Sequence, residues 1–179
     1  MSILKYSLWL MPSGAVGRTF SQLIATLAQQ YSSPVFPPHV TLIGSIVATE
    51  EEVMGKAREL ASLIHPYTMR LTNIDYLAFY YRALFVRVEP SEDVLAAYQQ
   101  ASKIFPSDQE ADYMPHLSLL YGDFSVETKQ AITQQIGASF SDEFEVNTLY
   151  LYRTEGAVSD WQQVSAFPLR PSFSYESLA

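Results

Sequence analysis

Two histidines in this chain sit in matched surroundings. Pro38-His39-Val40-Thr41-Leu42 and Pro115-His116-Leu117-Ser118-Leu119 each read proline, histidine, aliphatic, hydroxyl, leucine, 77 residues apart. The chain has only three histidines, so the repeat takes in two of them. Val40, Leu42, Gly44 and Ile46 alternate with His39, Thr41, Ile43 and Ser45, the period-two pattern of a strand. Residues i and i+2 of a strand share a face, so His39 and Thr41 project together, about 6.6–6.8 Å apart along the strand. His116 and Ser118 do the same, with Leu117 and Leu119 turned to a core. Each strand thereby offers a proton-transfer group beside a neutral hydrogen-bond donor. Two such strands brought together would place two hydroxyls and two imidazoles around one phosphate, a phosphoester site that requires no metal.

Those strands need a frame. Ile3–Met11 reads as a first strand, with Leu4, Tyr6, Leu8 and Leu10 alternating, and Lys5 and Ser7 interrupt any leader-like apolar run. Arg18–Tyr31 reads as a helix with Phe20, Leu23, Ile24, Leu27 and Tyr31 on one face. After the His39 strand, Thr49-Glu50-Glu51-Glu52 forms a capping box for a helix buried through Val53, Ala57, Leu60, Ala61 and Ile64. Tyr67–Ile74 and Ala83–Val88 read as strands joined by Phe79-Tyr80-Tyr81-Arg82. Pro90-Ser91 starts a helix using Val94, Leu95, Tyr98, Ala101 and Ile104. A polar loop from Pro106 to Asp112 precedes the His116 strand. Ser125 caps a helix with Val126, Ile132 and Ile136 inward; Phe144–Tyr152 and Val164–Leu169 are closing strands, and the tail beyond Pro171 is loose.

At the 77-residue offset, strand, helix, His strand, helix, strand occurs twice. Thr49 answers Ser125, and Met69 answers Val146. The expected fold is α+β: bilobal, duplicated β-α-β-α-β units with two antiparallel sheets facing a central cleft and helices outside. At 179 residues it is one domain with pseudo-symmetric lobes of roughly 1–80 and 81–170 and a tail at 171–179.

Composition narrows the partners. With 48% apolar and 13% aromatic residues the chain can bury a substantial interior. A formal charge of −8 and a pI of about 4.8, without a basic stripe, argue against tracking a long nucleic acid. A small anion met in a local pocket remains compatible. No cysteine is present, which removes disulfide frameworks, thiolate nucleophiles and cysteine-ligated zinc. No stretch approaches the ~20 apolar residues of a membrane span, so a cytoplasmic or nuclear protein without membrane association, acting as a monomer, is expected.

At His39-Val40-Thr41-Leu42 and His116-Leu117-Ser118-Leu119-Leu120-Tyr121-Gly122 the chain resembles the 2H phosphoesterase superfamily, and within it the cyclic phosphodiesterase group of fungi and plants. The absence of cysteine, where plant members carry disulfides, points to a fungal-type member. The resemblance implies hydrolysis of ADP-ribose 1″,2″-cyclic phosphate to ADP-ribose 1″-phosphate, and of nucleoside 2′,3′-cyclic phosphates to 2′-phosphates, by-products of tRNA splicing. It implies no metal or other cofactor, His116 as base and His39 as acid, with Thr41 and Ser118 on the phosphate. It also places a phosphate-contacting tyrosine at Tyr121, whereas strict alternation would turn Tyr121 into the core; both readings stand at this point.

Other residues carry competing readings. Tyr80, Tyr81 and Trp161 could stack a base or serve as core and rim. His65, before Pro66 at a helix end, reads as structural. Asp108, Glu110 and Asp112 near His116 raise a His/carboxylate metal site, although their spacing matches no ligand pattern. A non-catalytic nucleotide-binding module and an RNA-end 2′,3′-cyclic phosphodiesterase or 3′-exonuclease are the remaining alternatives.

Overall fold

A computed structural model describes residues 2–106 and 113–171; the tail from 172 and the acidic trio Asp108, Glu110 and Asp112 lie outside the described residues. The elements run β1 (Ile3–Leu10), α1 (Gly14–Tyr31), β2 (Val40–Thr49), α2 (Glu50–Leu63), β3 (Tyr67–Asp75), β4 (Leu84–Val88), α3 (Glu92–Ile104), β5 (His116–Leu120), α4 (Val126–Ile136), β6 (Glu143–Val146), β7 (Thr148–Arg153) and β8 (Gln162–Pro168). A 3₁₀ turn, Tyr80–Arg82, connects β3 to β4, and another, Val158–Asp160, connects β7 to β8.

α2, α3 and α4 begin where short polar side chains hold their first amides. Thr49, Ser91 and Ser125 accept from the backbone N–H of Glu52, Val94 and Thr128, each satisfying one of the amides that a helix start leaves unpaired. The reciprocal half of the box at α2 is absent: Glu52 binds Lys56 instead, at 2.8 Å. Apolar spacing then buries one face of each helix, Phe20, Ile24 and Leu27 on α1 and Val53, Ala57, Leu60 and Ala61 on α2. Two expected inward residues face out: Val126, in the first turn of α4, is 51% exposed, and Leu95 is 37% exposed. Gly17 sits where α1 crosses the strand-end carbonyl of Pro12; an added Cβ would lie 2.5 Å from that oxygen. Gly17→Ala is expected to lower unfolding free energy by about 1–3 kcal/mol, read from the midpoint of urea denaturation.

The strands form an antiparallel array in the order β6-β3-β4-β5-β2-β1-β7-β8. The two expected sheets are its halves, β6-β3-β4-β5 and β2-β1-β7-β8, joined at one residue pair, Val40 with Leu117. The halves of the sheet do not follow a division of the chain near residue 80. β3 leaves the first unit to pair with β4 of the second, and β7 leaves the second to pair with β1 of the first. The strand that mirrors β3 about the seam is therefore β7, not the Val146 segment. That segment, β6, lies beside β3 itself, with Met69 opposite Phe144. The continuous strand expected over Phe144–Tyr152 breaks between Val146 and Thr148.

Both His-bearing strands carry a β-bulge. Opposite β1 the register passes from Trp9↔Thr41 to Leu8↔Ile43, so Leu42 is an extra residue, and a second shift between Leu8↔Ile43 and Tyr6↔Ile46 puts another at Gly44-Ser45. Opposite β4 it passes from Phe85↔Ser118 to Leu84↔Leu120, so Leu119 is the extra residue. The extra residues Leu42 and Leu119 each fall three places after their histidine. A bulge inserts one residue and so shifts the alternation of the residues that follow it, up to the next bulge. The fifth residue after each histidine, Gly44 on β2 and Tyr121 after β5, thus rejoins the histidine's face.

Candidate active site

The seam explains how the two motifs meet. Val40 and Leu117, each one place after its histidine, are directly opposite in an antiparallel pair. Continuing that register sets His39 across from Ser118 and Thr41 across from His116. All four line one cavity of about 340 Å³, together with Tyr121, Tyr81, Arg82, Trp161, Lys5, Ser7, Thr154 and Glu155.

Each imidazole is held by its own strand entry. Nδ1 of His39 lies 2.7 Å from the carbonyl oxygen of Pro37, and Nδ1 of His116 lies 2.8 Å from that of Met114. A carbonyl can only accept, so Nδ1 carries the proton in both rings. In the neutral rings Nε2 is then the basic nitrogen. The repeated contact, histidine to the carbonyl two residues back, is what the shared X-Pro-His sequence builds.

The surroundings of the two rings differ. His39 is buried, its ring face stacked on Trp9 with centroids 3.6 Å apart and planes 11° apart. Trp9 stacks in turn on Tyr152 at 3.9 Å, and Phe36 meets His39 edge-on at 6.1 Å. His116 is only partly buried and is tilted against Phe85, at 5.0 Å and 60°. Burial pushes the His39 pKa down to about 4; the Pro37 carbonyl opposes that shift, and the nearby His116 adds to it. In the empty site near neutral pH, His39 is uncharged.

Among the hydroxyls, Ser118 is buried and donates to the Tyr81 carbonyl at 3.1 Å. Thr41 is half-buried on the cavity wall, and its own carbonyl accepts from the Tyr113 hydroxyl at 3.0 Å. Tyr121 belongs both to the buried core cluster and to the cavity wall, and the bulge at Leu119 sets it on the side of His116 and Ser118. It stacks on Phe36 at 3.8 Å while lining the cavity, and its carbonyl accepts from Ser33 Oγ at 2.6 Å. Burial pushes its phenol pKa up, and the neighbouring Ser118 hydroxyl works in the opposite direction. Tyr121 is thus a neutral donor at the cavity wall.

Of the three candidate stacking aromatics, Tyr81 and Trp161 line the cavity with ring centroids 6.0 Å apart, while Tyr80 stands outside it, edge-on to Tyr81 at 5.0 Å. His65 is not among the lining residues. Sequence reasoning did not single out Trp9, Lys5, Ser7, Gly44, Ser45, Arg82, Thr154, Glu155 or Gly156 as site residues, although they too line the cavity. For the first three the signal was present. Tyr6, Leu8 and Leu10 fill the core, so the alternate face of β1 had to present Lys5, Ser7 and Trp9 together. Among the described residues no group of three or more His, Cys, Asp or Glu side chains is placed to hold a metal ion. No helix among them is long and apolar enough to cross a membrane.

A curled antiparallel sheet with helices packed against it, and His-x-[Ser/Thr] strands paired at its seam, defines the class: a 2H phosphoesterase, and so a hydrolase. The chain belongs to the family described as "cyclic phosphodiesterase-like protein", whose model matches residues 3–169. It is 25% identical over 173 residues to the cyclic phosphodiesterase of Arabidopsis thaliana, covering 93% of this chain and 96% of the plant protein. Among solved structures, TT0787 of Thermus thermophilus superposes with a TM-score of 0.69 at 16% identity, covering 95% of this chain and all of that one. LigT of Escherichia coli superposes at 0.66 and 14% identity, covering 95% and 99%; it has also been solved in complex with 3′-AMP. These structural likenesses speak for the fold.

Proposed function

We propose that the protein hydrolyses small cyclic phosphodiesters: ADP-ribose 1″,2″-cyclic phosphate to ADP-ribose 1″-phosphate, and nucleoside 2′,3′-cyclic phosphates to nucleoside 2′-phosphates. The observation that carries this reading is the pair of Nδ1-anchored histidines lining one cavity with Thr41, Ser118 and Tyr121. The plant relative's name supports the phosphodiester class.

In the proposed reaction a water oxygen attacks phosphorus in line with the departing oxygen. His116 Nε2 takes the proton from water as the new P–O bond forms. The P–O3′ bond of a 2′,3′-cyclic substrate breaks, and His39 returns a proton to the leaving oxygen. Neither histidine changes its net protonation over a full cycle once protons exchange with solvent. His39 must enter charged, yet burial favours its neutral form; the phosphate anion of the substrate supplies the opposite charge that favours the imidazolium. Thr41 and Tyr121 donate to the non-bridging oxygens as charge concentrates there, and Ser118 joins them by turning its hydroxyl proton from the Tyr81 carbonyl to the phosphate. Tyr81 and Trp161 flank the nucleobase.

Thr41→Val is expected to lower kcat about ten- to a hundredfold, the worth of a hydrogen bond to a charged group, with little change in the thermal midpoint. Phosphorus NMR on ADP-ribose 1″,2″-cyclic phosphate and 2′,3′-cyclic AMP tests the function directly. Conversion to monoesters with the 2′-phosphate as the nucleoside product is expected. Binding without turnover would leave a nucleotide-binding module in its place, and an oligonucleotide end cleaved in preference to the mononucleotide would shift the substrate to RNA.

A further inference from the structure

Matched motifs would by themselves give two equivalent histidines, but the indole of Trp9 is stacked on His39. Trp9 stands on β1 directly opposite Thr41, so its indole reaches under the neighbouring His39 ring. Only 1% of Trp9 is exposed, and Tyr152 packs against its far face at 3.9 Å and 23°. The indole therefore has little freedom to turn, and its near face lies almost parallel to the imidazole at 3.6 Å. An indole face carries negative charge density and attracts a cation placed over it, most strongly away from water. Beside His116, the Phe85 ring lies tilted, with centroids 5.0 Å apart and planes 60° apart.

We infer that Trp9 is a positioning residue for His39, whose indole face fixes the plane of the imidazole and stabilises that ring when it takes a second proton. The inference rests on the proton-transfer role proposed for His39 and deepens it. Nδ1 keeps its bond to Pro37 in either state, so the added proton resides on Nε2. The stack thus answers the difficulty that burial creates for a histidine that must become charged. The other titratable groups around the same cavity are His116 and Tyr121 from β5 and its end, Tyr81 and Arg82 from the β3–β4 connection, Lys5 on β1 and Glu155 after β7. Replacing one ring by another of the same shape leaves all of them in place.

Fluorination provides that replacement, because it drains charge density from the indole face and barely changes its size. The second tryptophan, Trp161, is removed by Trp161→Phe in every sample. Tryptophan, monofluorotryptophan and trifluorotryptophan are then incorporated at Trp9. The His39 ring is titrated by proton–carbon NMR, assigned through loss of its signal in His39→Gln, with and without inorganic phosphate. The expected result is a midpoint that falls stepwise with fluorine number, by about one pH unit for the trifluoro ring. A midpoint that stays put or rises, or a His39 ring that takes up no proton in any sample before unfolding, would overturn the inference. Hydrolysis of 2′,3′-cyclic AMP is assayed separately. No turnover by the natural-tryptophan wild-type protein would sink the proposed reaction, while a stepwise titration would still uphold the stack.

Discussion

Replacing either His39 or His116 by alanine is expected to lower kcat on 2′,3′-cyclic AMP by about a hundred- to ten-thousandfold, the usual worth of positioned proton transfer. The fold should survive both changes. His39 and His116 each spend Nδ1 on a carbonyl two residues back in their own strand entry, and neither ties distant elements together through that bond. In the proposed reaction the two groups serve one transition state, so the double variant should fall little below the worse single one. Circular dichroism and a thermal midpoint establish folding, and steady-state assay reads the loss. Near wild-type turnover in either single variant would remove that histidine from the chemistry.

The second large effect concerns acid stability. His39 has an ordinary pKa near 6.5 and one of about 4 in the folded protein, lowered mainly by burial. Between those values the unfolded chain holds a proton that the folded one lacks, so protonation favours unfolding. The contribution is fully present above pH 6.5 and is lost as pH falls towards 4, at up to about 1.4 kcal/mol per pH unit and about 3 kcal/mol in all. His39→Gln, which cannot take the proton, should show a shallower decline over this window. Urea denaturation of both proteins at pH 7, 5.5 and 4.5 measures the difference. Parallel curves would mean that His39 titrates normally, and its burial would then have no electrostatic consequence.

The parts of this molecule legible in its sequence are those with local causes. Ser91 and Ser125 announce their helices because a hydroxyl at that point serves the amides just beyond it. The paired motifs announce the site because proline, histidine and hydroxyl recur in one order. What escaped was non-local. Nothing in Tyr67–Asp75 says that β3 will cross to β4, since strand partners are chosen by where the chain can pack. Trp9 was hidden by its company: within Leu8-Trp9-Leu10 it reads as core, and only the opposite phase shared with Lys5 and Ser7 marks it as facing the cavity. Tyr121 depended on the extra residue at Leu119, which costs the ladder one pairing and leaves no compositional trace.

The extra residues at Leu42 and Leu119 have a further consequence. Facing along an extended chain is a parity, odd or even, and each of these residues flips it once, at the same point in both copies. A substitution changes what stands at a position but cannot change its parity; only gaining or losing a residue can. Side chains along these two strands can therefore drift while the wall of the cavity keeps its membership. Deletion of Leu119 alone would turn Tyr121 to the other side. The cavity wall tolerates changes of letter and is brittle to changes of count.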